Sequence, residues 1–182
     1  MTGSSAAGGY PLVVRVYVPA TLAMLQRLVA DGSLRPVNGT AFAVTPTLRE
    51  SYSEGDDEEL GEVARREAAL ASLRLLGHED TGELPPRRVV VETDIEEAAD
   101  GLTLRPDLDD AVVRLSGEID LGRVIAAYVD NQAAEAAVRA AVEVIDAADL
   151  GNEDAELTVG DAQDHDLAWY APQELPFLLD LL

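Results

Sequence analysis

The sequence predicts an α+β fold, namely a two-layer sandwich with a ferredoxin-like β-α-β core, about five strands and a helical C-terminal tail. Short apolar runs rich in β-branched residues alternate with longer segments of helical periodicity. A strand followed by a helix occurs both early and late in the chain. The short connections and the small number of strands argue against a doubly wound nucleotide-binding fold.

The first quarter of the chain predicts a compact β-α-β unit. The run LVVRVYV at residues 12–18 is dense in β-branched and aromatic residues and indicates a buried strand that ends at Pro19. Thr21 is expected to cap a helix that ends before Gly32. The run TAFAVT at residues 40–45 predicts the second strand.

The next segment predicts a helical turn and then a long helix. Thr45 followed by Pro46 provides a capping hydroxyl before a proline at the first helical position. The acidic run EGDDEE at residues 54–59 lacks the alternating spacing of a calcium loop. Its carboxylates instead complement the dipole at the start of a helix expected to reach about Leu76, just before His78.

The second half of the chain predicts three more strands and a clear helix. The strands are expected at residues 87–93, 111–115 and 124–129. The acidic residues 94–109 include a glycine and a proline and predict an irregular connection. Asp130 or Asn131 is expected to cap a helix whose apolar stripe extends to Ile145.

The stretch GDAQDHDLAWYAPQELPFLL at residues 160–179 combines the single tryptophan, a histidine and several carboxylates. We expect a loop at residues 150–156, a short strand or extended link at residues 157–159 and then a helix capped by Asp161. On that helix Asp161, His165 and Trp169 would share one face, where a carboxylate beside an imidazole could support acid–base chemistry. The preferred interpretation is structural: the aspartates complement a helix start, and the prolines and leucines close an apolar flank.

Binding candidates come from this stretch and from the segment TPTLRESY that follows the second predicted strand. Arg49 could clamp an anion or pair with the neighbouring acidic run, and Tyr52 could form a hydrogen-bonding lid. No catalytic residue is assigned. The candidates are Arg49, Tyr52, His165, Trp169, Tyr170 and Glu174.

Several kinds of chemistry lack their sequence signatures. The chain has no cysteine, which excludes disulfides, thiolate metal sites and a cysteine nucleophile. The phosphate-binding glycine patterns, the zinc motif HExxH and the hydrolase motif GxSxG do not occur. No cofactor and no metal are therefore expected.

Charge and hydropathy narrow the classes of partner. The net charge is −22, every basic residue is arginine, and residues 1–53 carry +2 whereas the remainder carries −24. This balance disfavours nucleic acid as a partner, because phosphate binding needs a basic surface. No long apolar run or secretory signal is present, so we expect no membrane partner and a cytoplasmic location. Residues 1–11 are expected to form a flexible leader and residues 12–182 a single domain of undetermined oligomeric state.

Three segments together resemble an uncharacterised family of small acidic proteins from actinobacteria. They are VRVYVPATLAMLQRLVADG, TAFAVTPTLRESYSEGDDEELGEVA and DHDLAWYAPQELPFLL. The resemblance covers most of the chain from Val14 onward. It implies a GC-rich genome and a cytoplasmic location, and it brings no activity and no catalytic residues.

Two function hypotheses follow. The first is a non-enzymatic, cytoplasmic protein-binding or regulatory module with a strongly acidic surface. The second is a small-molecule-binding domain or a hydrolase-type enzyme. Its pocket would join the strand ends near Arg15, Tyr17 and Arg49 to the C-terminal stretch.

Overall fold

A seven-stranded antiparallel sheet crosses the centre of the protein in the computed structural model, which describes residues 12–79 and 82–182. The predicted leader, residues 1–11, lies outside the described residues. The strands are β1 Val13–Ala20, β2 Ser33–Leu34, β3 Thr40–Ala43, β4 Val89–Glu96, β5 Thr103–Leu104, β6 Val112–Arg114, β7 Ile119–Asp120, β8 Val124–Val129 and β9 Ala168–Tyr170. Their order in the large sheet is β5-β6-β3-β1-β4-β8-β9, and β2 and β7 form a separate pair.

Six α-helices accompany the strands in the described part of the chain. They are α1 Leu22–Asp31, α2 Pro46–Ser51, α3 Asp57–His78, α4 Glu135–Asp149, α5 Glu153–Gln163 and α6 Leu175–Asp180. The predicted starts of the first two are confirmed, because the hydroxyls of Thr21 and Thr45 accept hydrogen bonds from backbone amides of the first turns. The carboxylate of Asp56 does the same for α3. Gly32 ends α1 in the left-handed conformation, which glycine adopts without steric cost.

Helices cover both faces of the sheet. On one face, alternate strand residues such as Val16, Val18 and Val91 pack against α1 and α6. On the other face, Tyr17 and Val90 join a cluster with α2 and α3. α4 and α5 pack on α3 through a third apolar cluster. The described residues thus form more than the two predicted layers.

The ferredoxin-like core is not confirmed. β1 and β3 are direct neighbours and run antiparallel, with Tyr17 opposite Phe42. A split β-α-β unit instead requires two parallel strands with another strand between them. The apolar pattern identified the two strands and the helix, but periodicity carries no information on strand direction.

The predicted core strands are found, but four short strands and one boundary were missed. β4 continues to Glu96 and β5 lies at Thr103–Leu104, both inside the segment expected to be an irregular connection. β2, β5 and β7 have two residues each and β9 has three, which is too short for a periodic pattern. They form because neighbouring strands supply hydrogen-bond partners.

The prediction for the C-terminal region is wrong at its start. Residues 150–156 were expected to be loop and residues 157–159 a short strand or extended link. Instead α5 begins at Glu153, where the side chain of Asn152 accepts a hydrogen bond from the backbone amide of Ala155. Ala155, Val159 and Ala162 are its buried residues and lie at helical spacing. α5 ends at Gln163, so Asp161 caps no helix. Asp161, His165 and Trp169 therefore do not share a helical face.

A buried ion pair joins the sheet to the C-terminal region. Arg88, just before β4, donates two side-chain hydrogen bonds of 2.8 Å to Asp130, just after β8. The backbone amide of Arg88 also donates to this carboxylate, and the guanidinium donates to the carbonyl of His165 at 2.8 Å. The two side chains are 3% and 0% exposed. The start of the chain beyond α5 is thus joined to the sheet by this guanidinium, in addition to the pairing of β9 with β8.

Replacing Asp130 with alanine should lower the free energy of unfolding by about 3–5 kcal/mol, because it leaves the Arg88 guanidinium buried without a counter-charge. Urea denaturation measures this effect. Asp149→Ala is the matched control: Asp149 also accepts two bonds from one arginine, Arg74, but that pair is about two-fifths exposed. It should cost about 1 kcal/mol or less. Equal losses of unfolding free energy in the two variants would contradict the conclusion that Arg88 and Asp130 form a buried ion pair.

Candidate functional site

Polar side chains interrupt the face of the sheet that α3 covers. Arg15 and Tyr17 of β1 lie directly opposite Asp94 and Glu92 of β4. Tyr128 of β8 reaches the same group through a hydrogen bond to Glu92. These five residues, with parts of α2 and α3, line an open cavity of about 770 Å³, which we call the sheet cavity.

Glu92 is the centre of this group. It is only 7% exposed, and its two carboxylate oxygens have separate partners. The hydroxyl of Tyr128 donates to Oε1 at 2.9 Å, and the Arg15 guanidinium lies 3.1 Å from Oε2. Arg15 also donates to both oxygens of Asp94, at 2.9 and 3.2 Å. A charged donor and a neutral donor therefore offset the cost of removing the Glu92 carboxylate from water.

The same group alters the acidity of the two tyrosines. Burial, followed by the hydrogen bond to Glu92, raises the pKa of Tyr128 to about 12. Burial, followed by the negative charge of Glu92, raises the pKa of Tyr17 above its ordinary value. Both phenols therefore stay protonated at neutral pH; Tyr128 donates its hydrogen bond to Glu92, and the Tyr17 hydroxyl can donate to a ligand.

α3 closes one side of the sheet cavity. A Cβ atom added at Gly61 would lie 3.0 Å from the Tyr17 hydroxyl, so glycine lets the helix approach this ring closely. One turn later, the guanidinium of Arg65 lies 4.5 Å from the centre of the Tyr128 ring. This cation–π contact orients Arg65 toward the cavity.

A second, smaller cavity of about 340 Å³ adjoins the first, with Glu62 and Arg65 in both walls. We call it the C-terminal cavity, because His165 and Asp166 form its far side. Arg66 of α3 also lines it. The hydrogen bond from Arg88 to the His165 carbonyl holds that far side in place.

The two candidates from α2 occupy different positions. Arg49 lines the sheet cavity and forms an ion pair with Asp57 at the start of α3. Arg49 is thus paired with the neighbouring acidic run, which was one of the two roles considered for it. Tyr52, at the end of α2, is 46% exposed and does not line the sheet cavity.

The four C-terminal candidates are dispersed. His165 lines the C-terminal cavity. Trp169 is 56% exposed on the edge strand β9, opposite Tyr128 in the register of β8 and β9, which puts it one strand away from the sheet cavity. Tyr170 packs partly against the core, and Glu174 accepts a hydrogen bond from the backbone of Ala171. Only His165 among the four lines either cavity.

Sequence reasoning missed Glu92, Asp94, Tyr128 and Arg65. A signal for the first two was present: in VVVETDIE, Glu92 and Asp94 sit at alternate positions of a strand that is otherwise mostly buried. Alternation puts both carboxylates on one face, away from the apolar face of Val91 and Ile95. Tyr128 and Arg65 gave no such signal, because their roles depend on which strand and helix lie next to them.

No group of three or more histidine, aspartate or glutamate side chains in the described residues has the geometry to hold a metal ion. The two cavities instead offer guanidinium and phenol donors together with carboxylate acceptors. Within the same residues, no helix combines the length and the apolar character needed to cross a bilayer. The donors and acceptors of the two cavities suit recognition of a polar molecule by hydrogen bonds and charge.

Substituting Tyr128 with phenylalanine should make the protein less sensitive to alkaline pH. Because folding raises the pKa of Tyr128 from 10.0 to about 12, the folded state holds this proton while the unfolded state loses it, and stability falls as the pH rises through that window. Urea denaturation at pH 8 and pH 11 should show a smaller loss in Tyr128→Phe than in the wild type. Tyr17 contributes in the same direction to both proteins. An equal loss of stability in the two proteins would show that burial and Glu92 do not raise the pKa of Tyr128.

Comparison with curated proteins found no match, and comparison with solved structures found none. Comparison with protein families matched residues 14–179, which include every residue of both cavities except Val13. The chain belongs to the family of unknown function DUF6912.

Proposed function

We propose that the protein is a small-molecule-binding domain that holds a polar ligand in the sheet cavity. The observation that carries this proposal is the position of Glu92, a carboxylate buried at the wall of an open cavity and fixed by Arg15 and Tyr128. A sheet face covered by a helix is ordinarily apolar, and replacing such charged groups with apolar ones is often neutral or stabilising. The cost of keeping them is explained if a ligand uses them.

The charges around the cavity indicate the chemistry of that ligand. Arginines at 15, 49 and 65 face five carboxylates, those of Asp57, Glu58, Glu62, Glu92 and Asp94. The excess of acceptors over cations favours a ligand rich in hydrogen-bond donors, such as an amine or a polyol. The tyrosines at 17 and 128 add phenol donors and ring surface.

Binding is favoured over hydrolysis at this site. The described lining of the sheet cavity contains no serine, threonine or histidine, so the usual hydroxyl nucleophile and its imidazole base are both missing from it. His165 lines only the adjoining C-terminal cavity. The proposal includes the expectation that residues 12–182 act as one domain. It also includes a cytoplasmic location and an actinobacterial origin, which the sequence resemblance implies.

A protein-binding module is the second candidate, and a specific observation favours it. The edge strand β9 ends the sheet and carries Trp169, which is 56% exposed, and Phe177 of the following helix is 71% exposed. With a net charge of −22, the protein would favour a basic partner, and such binding would weaken with salt.

A thermal-shift screen of amines, amino acids and sugars, followed by titration of the hits, tests the proposed function. Trp169 is the only tryptophan and lies opposite Tyr128, which lines the sheet cavity, so its fluorescence provides a second signal for the titrations. Asp94→Asn should weaken the binding of a hit by about tenfold or more, because a charged acceptor is lost. Asp107→Asn is the matched control, since Asp107 accepts the same two bonds from Arg105 at an exposed site.

The control variant should bind as the wild type does. A screen without hits, or hits whose affinity is indifferent to both Asp94→Asn and Glu92→Gln, would contradict the proposed function. A basic partner whose binding is lost in Trp169→Ser would then favour the protein-binding module instead.

A further inference from the structure

We infer that Arg65 and Arg66 form an oxyanion-binding site for a phosphate or carboxylate group in the C-terminal cavity, whose far wall includes His165. The inference rests on the proposed function in one respect, since the oxyanion would belong to a ligand whose remainder lies in the sheet cavity. Arg65 lines both cavities and connects the two sites.

The first observation in support of this site concerns which arginines form ion pairs with carboxylates. The chain has 35 acidic residues and 13 arginines, so potential carboxylate partners are abundant. Most arginines do form ion pairs with described residues. The ones that do not are Arg27, Arg65, Arg66, Arg114 and Arg139. Among these, Arg65 and Arg66 are adjacent and line the same cavity.

The setting of these two side chains is the second observation. Arg65 is partly buried and held over the Tyr128 ring, so part of its conformational entropy is already lost before a ligand binds. Arg66 is exposed beside it on α3 and remains free to close on a bound group. Guanidinium groups bind phosphate and carboxylate through two parallel N–H donors, which makes two adjacent arginines a suitable clamp.

The far wall of the cavity is fixed independently. The charge of Arg88 is balanced by Asp130, so this arginine serves to hold the His165 carbonyl and adds no free cation. Glu62 and Asp166 also line the cavity, and neither forms an ion pair with Arg65 or Arg66 in the described structure. Both guanidinium groups therefore keep N–H donors for a ligand, even though two carboxylates line the same cavity.

A titration with inorganic phosphate, monitored by ¹H–¹⁵N spectra of the full chain at constant ionic strength, tests this site. Acetate in a parallel titration separates a phosphate group from a carboxylate group as the natural source of the oxyanion. Saturable shifts are expected for amides of α3 near Arg65 and of residues 163–167 with at least one of the two anions. The net charge of −22 suppresses non-specific anion binding, which makes saturation informative.

Arg65→Gln and Arg66→Gln should each raise the dissociation constant about tenfold or more, since each removes charge-assisted hydrogen bonds. Arg27→Gln is the matched control: Arg27 lies on α1, which covers the opposite face of the sheet, and it also lacks an ion pair. It should leave binding unchanged. Because Arg66 is exposed, its substitution leaves core packing intact and keeps the test valid if Arg65→Gln folds poorly.

Shifts that do not saturate with either anion, or that Arg27→Gln weakens as much as Arg66→Gln does, would overturn the inference and indicate adventitious ion binding only. The two proposals fail separately. Arg66 does not line the sheet cavity, so loss of phosphate binding in Arg66→Gln says nothing about Asp94-dependent hits. Conversely, if phosphate binds but the ligand screen gives no hit that depends on Asp94, the oxyanion site is retained and the proposed function is rejected.

Discussion

The buried ion pair between Arg88 and Asp130 is the interaction on which the rest of the arrangement depends. It joins the start of β4 to the end of β8, and a further N–H of the guanidinium donates to the His165 carbonyl. From that point the chain enters β9 and completes the sheet edge. A buried pair contributes little net stability compared with apolar residues of similar size. We therefore attribute to it a positional role, which sets where the C-terminal segment lies and so forms one wall of the smaller cavity.

The two faces of the sheet serve different purposes. Alternate residues of β1 and β4, such as Val16 and Val91, fill an apolar core with α1 and α6. The intervening residues, such as Arg15 and Glu92, face α2 and α3 and remain polar along the walls of a cavity. Because each strand serves both faces, the buried hydrophobic face keeps the strands rigid while the other face presents charged groups. A site built on strands in this way holds its geometry better than one built on loops.

Local chemistry determined which features could be predicted from the sequence. The caps at Thr21 and Thr45, the end of α1 at Gly32 and the longer strands follow from side-chain bonding and periodicity within a few residues. Strand direction and order, and hence the correct topology, depend on long-range pairing that periodicity does not encode. The same limit applied to the site. His165 and Arg49 were named from local composition, whereas Tyr128 and Arg65 acquire a role only because β8, β4 and α3 are neighbours in space.

Hydrogen–deuterium exchange in an Arg88→Met/Asp130→Leu double variant tests the positional role of this ion pair most directly. The substitutions replace both charges with apolar side chains of similar volume, so no buried charge is left unpaired, and the loss of stability should stay below that of Asp130→Ala. The remaining cost is the bond from the Arg88 backbone amide to the Asp130 carboxylate, which the variant also loses. Without the guanidinium bond to His165, amides of residues 164–170 should exchange faster, while those of β1 and the middle of β4 keep their wild-type protection. Unchanged exchange across residues 164–170 would show that the C-terminal segment is held by other contacts and would contradict the account.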